Sequence, residues 1–269
     1  MKRLSFMERY GPWALVTGAA SGIGAEFALQ CAARGLHLLM VDIQAAMVRR
    51  NAGELRERYG VEAIPVTADL AAPDFMKRIR RAAGDRQVGL LVNNAGYGTT
   101  GEFMQTDMGE MLRTLEVNCR APMVLAREMG PAMRERGRGG IIFVSSSSAF
   151  QGTPVIANYA ATKAFNLILG EALWEELRGH GVDVLALCPG ATDTPALPKS
   201  GARIDNVPGM PLMDPSAVVA EALGALGKGP SVVAGRANRI AAFVMGRLLT
   251  RGRSVTLIGK NTRLLYPDG

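Results

Sequence analysis

The chain has 269 residues, 48% hydrophobic and 20% charged, with a formal net charge of +7. That composition supplies a full apolar core and excludes a disordered or fibrous chain. Three scattered cysteines (Cys31, Cys119, Cys188) and two distant histidines (His37, His180) exclude a disulfide framework and a His/Cys metal centre, and they fit a reducing compartment.

The opening MKRLSFMERYGPW is basic but lacks the apolar stretch of a signal peptide. No apolar run approaches the roughly 20 residues of a spanning helix, so a cytoplasmic protein is expected. A strand at Ala14–Thr17 leads into GAASGIG, and a helix follows over Ile23–Arg34. A second strand, Leu36–Val41, ends at Asp42; a helix over Gln44–Tyr59 and a strand over Val61–Thr67 come next. A basic helix at Asp74–Ala83 precedes the strand Val88–Val92, which opens into NNAG. Thr106–Arg136 has helical period, with Pro122 and Pro131 expected to bend or break it. Then come a strand at Ile141–Val144, a helix over Ala157–Arg178 and a strand at Val182–Leu187. Beyond Pro189-Gly190 the chain turns irregular to Pro215, before a helix at Ser216–Leu226 and a last strand at Ser231–Ala234. Continuous apolar strands alternating with helices predict an α/β fold, a doubly wound parallel sheet covered on both faces. The expected organisation is one domain over residues 1–235, with a substrate lid at about 191–213, and a basic C-terminal helical extension over 236–269.

Between the first strand and helix stands Thr17-Gly18-Ala19-Ala20-Ser21-Gly22-Ile23-Gly24. Glycines there let the backbone approach a pyrophosphate, and the helix N-terminus presents free N–H groups and partial positive charge. Asp42 lies 18 residues beyond Gly24, placed to hold adenosine ribose hydroxyls or, alternatively, to cap the next helix. A carboxylate there repels a 2′-phosphate, and neither Ser21 nor Gln44 offers a compensating cation. NAD(H) is therefore expected over NADP(H).

The stretch Ile141–Lys163 reads as a buried strand, a serine-rich turn and a helix carrying Tyr159 and Lys163. Four residues apart on a helix, their side chains share one face. A lysine ammonium beside a phenol favours the phenolate and is expected to bring its pKa down from about 10. With a serine hydroxyl at the strand end, the group can add a proton to an alcohol or carbonyl oxygen, or remove one.

In order, the glycine turn, Asn93–Gly96 (NNAG), Asn118, Ser146, Tyr159-x-x-x-Lys163 and Pro189-Gly190 resemble the short-chain dehydrogenase/reductase family, from Trp13 to about Gly235. The family's T-G-x-x-x-G-x-G turn is matched by Thr17, Gly18, Gly22 and Gly24. The resemblance implies a Rossmann fold with Tyr159 as general acid/base, Lys163 on the nicotinamide ribose and Ser146 on the substrate oxygen. Asn118 would complete a proton relay through the helix backbone and water. It further implies Asp69 and Leu70 beside adenine, and Asn93 and Gly96 on the adenosine and ribose side. Thr194 would meet the nicotinamide carboxamide, with Ser21, Ile23, Ala95, Pro189, Gly190 and Thr192 also along the cofactor. The opening GPWALVTGAASGIG is similar to the branch holding 17β-hydroxysteroid dehydrogenases and long-chain 3-ketoacyl reductases. That branch commonly uses NADP, with basic residues after the second strand, and Val41-Asp42-Ile43-Gln44 departs from it.

The expected reaction is hydride transfer between a nicotinamide cofactor and a secondary alcohol or ketone. A non-catalytic NAD(H)-binding scaffold or redox sensor is the competing class; it leaves Asn118, Ser146, Tyr159 and Lys163 without a role. Tyr97, Phe150 and Val155 neighbour the site in sequence, and Leu197, Val207, Met210, Leu212 and Met213 of the lid suggest an apolar, steroid- or acyl-like substrate. From Gly227 onward eight basic residues stand against one acid, Asp268, without the interleaved aromatics of a nucleic-acid platform. Ile240, Phe243, Val244, Arg247, Leu248 and Arg251 can form an amphipathic helix: a lid element, a subunit contact or, less favoured, an anchor on a membrane surface. The family's pairing through long helices implies a homodimer or homotetramer.

Overall fold

Seven strands, all parallel, form one sheet in the order β3-β2-β1-β4-β5-β6-β7. They are β1 (Trp13–Thr17), β2 (His37–Asp42), β3 (Ala63–Thr67), β4 (Val88–Asn93), β5 (Gly139–Val144), β6 (Val182–Cys188) and β7 (Ser231–Val233). The computed structural model describes residues 4–207 and 209–267. Every residue of β1, β4 and β5 is buried, which is why these strands read as unbroken apolar runs. Alternation still sorts them. Ala14, Val16, Leu38 and Met40 face one core, whereas Leu15, Leu39, Val41 and Leu91 face the other.

The helices are α1 (Phe6–Tyr10), α2 (Gly22–Ala32), α3 (Ala45–Tyr59), α4 (Phe75–Ala83), α5 (Met108–Leu115), α6 (Ala121–Glu135), α7 (Ala157–Arg178), α8 (Ala196–Lys199), α9 (Pro215–Ala225), α10 (Arg236–Phe243) and α11 (Arg251–Leu265). Helix α1 was not expected, although its signal stands in the sequence. Ser5 and Glu8 form a reciprocal capping box, and Tyr10 Oη donates to Asp183 Oδ2 at 2.7 Å, docking the helix onto β6.

Chain order reverses between β1 and β4, so a crevice opens beyond their carboxyl ends, the place where open α/β sheets bind ligands. The expected helix over Thr106–Arg136 is divided there: α5 passes through a π-helical turn, Glu116–Arg120, into α6. Pro122 lacks an N–H, so the α-helical bond to the carbonyl four residues back, at Asn118, cannot form. Pro131 does not break α6; the carbonyl that loses its α-helical donor there belongs to Arg127, an exposed residue.

The extension does not stand apart. Helix α10, a π-turn at Val244–Leu248 and α11 fold back across the crevice. Arg203 N–H donates to Leu265 O, and Asn206 Nδ2 donates to Leu264 O. These bonds tie the 191–213 segment to the end of α11.

Candidate active site

One cleft of about 1020 Å³ runs along the carboxyl edge of the sheet, at the upper end of the ordinary range for small-molecule sites. Gly18, Ser21, Gly22, Ile23, Asp42, Asp69, Leu70, Ala95 and Gly96 line it, and so do Ser146, Tyr159, Lys163, Pro189, Gly190, Thr192 and Thr194. Thr194 stands against Gly22, and Lys163 against Gly96. The structure therefore brings together most of the residues singled out by sequence.

The glycine turn is laced to β4. Thr17 Oγ1 accepts the N–H groups of Asn94 and Ala95, both at 3.0 Å, and Asn94 Nδ2 donates to Thr17 O at 2.9 Å. A Cβ at Gly24 would lie 2.0 Å from Gly18 O, so only glycine lets α2 start so close to the turn. Gly24 thus sits behind the cleft wall rather than in it. Asp42 closes the turn from the other side: Oδ2 accepts the Ala20 N–H and Oδ1 the Gln44 N–H, each at 2.9 Å. Asp42 does not cap α3, whose N-cap is Gln44 without a side-chain bond; its carboxylate closes the turn and also lines the cleft. Partial burial would raise the Asp69 carboxyl, but the Ala71 N–H and the paired Arg113 guanidinium bring it below its ordinary value.

Two expectations change. Asn93 was placed beside the ribose, yet its side chain is buried and turned inward, with Nδ2 3.5 Å from Pro122 O. Its neighbour Asn94 lines the cleft and locks the turn, a role that the NNAG motif contained without indicating which asparagine held it. The second change concerns Tyr159. Its phenol is pushed up to about 12: burial outweighs the lowering effect of the Ser146 hydrogen bond, and Tyr266 adds a further raising influence. Lys163 does not reverse this, because its own charge is penalised: burial brings the amine down to about 8. Its Nζ donates to Val144 O at 2.8 Å and lies 5.6 Å from the Tyr159 ring centre.

Around this pair the packing is close. Ser146 Oγ accepts from Ser148 N–H and Oγ–H at 3.1 and 3.0 Å. Ser145 Oγ donates to Lys163 O at 2.7 Å, steadying α7. A Cβ at Gly98 would meet the Tyr159 ring at 2.6 Å, so that loop lies flat on the phenol. Asn118 is fully buried behind the wall. Its amide brackets Tyr97, accepting from N–H at 3.1 Å and donating to O at 2.7 Å, and it also donates to Thr162 Oγ1 at 2.9 Å. The Asn118 carbonyl released by Pro122 accepts from Asn166 Nδ2 at 2.9 Å. Asn166, three residues after Lys163, went unnoticed in the sequence; a polar residue on the buried face of α7 was the available signal.

Tyr97, Phe150, Leu197, Val207 and Met210 line the cleft as expected, joined by Met245, Ile258 and Tyr266 of the extension. Leu212 is instead exposed, and Met213 packs against the main core. Val155 lines a smaller adjoining pocket, and its φ of 71° is a strained conformation for a β-branched residue.

The sequence profile of the short chain dehydrogenase family matches residues 12–204. The chain belongs to the short-chain dehydrogenase family. A 7β-hydroxysteroid dehydrogenase of Collinsella aerofaciens is 32% identical over 244 residues, 88% of this chain and 90% of that one. A solved 7β-hydroxysteroid dehydrogenase structure matches with TM-score 0.87 at 30% identity, covering 95% of this chain and 99% of that one. A Sphingobium yanoikuyae short-chain dehydrogenase in complex with NADPH gives 0.77 at 31% identity (88% and 94% covered), and a Brucella melitensis 3-ketoacyl-(acyl-carrier-protein) reductase with NADH gives 0.73 at 30% (84% and 98%). This short-chain dehydrogenase is thus a nicotinamide-dependent oxidoreductase, and its residues fit such a cofactor. The glycine turn is open to the cleft, and at Gly96 a Cβ would stand 3.0 Å from both Lys163 Nζ and Asn118 Oδ1.

Replacing Asn166 by Leu leaves the Asn118 carbonyl without its side-chain donor. The expected loss is about 1–3 kcal/mol of stability, read from urea unfolding, together with lower turnover. A variant as stable as the parent would show that the carbonyl is satisfied by other means.

Proposed function

We propose that this short-chain dehydrogenase interconverts an apolar secondary alcohol, steroid- or acyl-like in size, and its ketone, using NAD(H). The observation carrying this reading is the inward-facing Ser146–Tyr159 pair in the same cleft as the glycine turn, beneath a largely apolar wall. The names of the hydroxysteroid dehydrogenase relatives support the same substrate class.

The nicotinamide supplies the hydride in reduction and accepts it in oxidation. Ser146 Oγ holds the substrate oxygen by a hydrogen bond. Tyr159, kept protonated by burial, gives its proton to that oxygen as the carbonyl becomes an alcohol, and takes it back in oxidation. Lys163, charged below about pH 8, stabilises the phenolate left behind. Asn118 holds Tyr97 and the turn above α7 in register. Leu197, Val207, Met210, Met245 and Tyr266 exclude water from the reacting carbon.

Asp42 supports NAD(H). Among the described residues the basic side chains lining the cleft are Arg113, Lys163 and Lys199; Arg113 is paired with Asp69 at 2.9 Å, and Lys163 donates to Val144 O at 2.8 Å. Helices α5 and α7 expose Leu112, Leu115, Phe165 and Ile168, which supports association of two or four copies through these helices. The three cysteines are unpaired, in keeping with a reducing cytoplasm.

Secondary alcohols and ketones, steroids included, assayed separately with both nucleotides should show turnover with NAD(H) at least about tenfold more efficient than with NADP(H), equivalent to about 1.4 kcal/mol. Asp42→Ser should narrow that ratio; no turnover across the panel would remove the substrate reading. Tyr159→Phe is expected to keep nucleotide affinity, measured by cofactor fluorescence, while turnover falls by about 10²–10⁴. In the pH profile, kcat/KM for ketone reduction should be level below about pH 8 and fall above it. There Lys163 loses its proton, while Tyr159, at about 12, keeps its own. A profile level to pH 10 would separate the lysine charge from the proton transfer.

A further inference from the structure

The segment 236–248 winds as α10 and a π-turn, and it has two faces. Ala242 and Met245 point into the cleft. On the opposite side Ile240, Phe243 and Val244 follow helical spacing onto one face, and Leu248 continues it a turn later. Their exposures are 65%, 60%, 36% and 66%. Arg236 and Arg247 share that outer side and are exposed. Arg239 is engaged by Glu221 and Val233 O, and Arg251 by Phe150 O, so those two arginines serve the fold.

We propose that this outer face is a docking surface for an anionic lipid bilayer. Packing on the protein's own cleft, the ordinary fate of an amphipathic helix, is already satisfied by the inner face, so it leaves the outer apolar row unexplained. Charge decides between the remaining occupants. A second copy joined through the same face about a twofold axis would bring Arg236 and Arg247 of both copies into one interface. The chain from Gly227 onward, with eight basic residues and one acid, offers little to neutralise them. Lipid headgroups supply both the negative charge and an apolar layer for Ile240, Phe243 and Leu248. The attachment is peripheral: among the described residues no helix is long and apolar enough to cross a membrane. The inner face of the same helix walls the cleft, which places its mouth at the bilayer for the apolar substrate proposed above. Only this last consequence rests on that substrate reading; attachment itself does not.

The test is flotation of the purified full chain with phosphatidylcholine vesicles, with and without phosphatidylglycerol. About fivefold or more enrichment on the anionic vesicles is expected, weakened at roughly 0.5 M salt, where the Debye length is only a few Å. Ile240→Ser/Phe243→Ser/Leu248→Ser should abolish flotation. Arg236→Glu/Arg247→Glu should abolish it too and serves alone if the serine variant does not fold, with thermal melting and nucleotide binding as fold controls. Absent flotation of the parent chain, or undiminished flotation of the arginine variant, would overturn the proposal. So would a smaller oligomer on size-exclusion chromatography for the serine variant, since the face would then be a contact between copies. A chain that floats as expected but reduces no apolar ketone would leave the docking surface standing and remove the substrate reading alone.

Discussion

The lacing between the ends of β1 and β4 is the constraint on which the site depends. Strands pointing the same way leave their terminal backbone groups at one edge, and at the reversal of strand order no helix covers that edge. Thr17 and Asn94 satisfy these groups by bonding each other's main chains, and in doing so they fix the glycine turn against the loop that carries Gly96 and Gly98. That loop in turn lies on Tyr159 and is bracketed by Asn118. The turn, the loop and the phenol are therefore positioned by one continuous set of short-range contacts between β1, β4 and α7.

Much of the fold was legible because its physics is local. Fully buried parallel strands must be apolar throughout, and the repeated strand–helix rhythm leaves few ways to cover both faces. The same holds for the glycine turn, where a 2.0 Å clearance at Gly24 admits no side chain. What escaped notice depends on contacts far apart in the chain. Which asparagine of NNAG faces the cleft is set by Thr17, 77 residues away from Asn94. The inward turn of Met213 depends on Gly235 and Asn238, neither of which marks its partner in the sequence. The acidity of Tyr159 was misjudged because helical spacing reports that a lysine is near but not how deeply both groups are buried. Here burial acts against both charged forms, and the pair is held neutral on the phenol and weakly basic on the amine.

Pro122 shows how one residue can set geometry at a distance. By withholding an N–H it opens the helix at Asn118, and the released carbonyl is taken by Asn166 from the helix that bears the tyrosine and lysine. The π-helical turn is thus a joint between the two helices beneath the cleft rather than an irregularity of one of them.

The bonds from Arg203 and Asn206 to the end of α11 have a mechanical corollary. A flap hinged to a second flap cannot swing by itself. Any displacement of residues 203–206 away from α11 must either break both fastenings or carry the terminal helix along. The freedom of each segment is then set by how firmly the two distant stretches hold one another, and not by the stiffness of either alone.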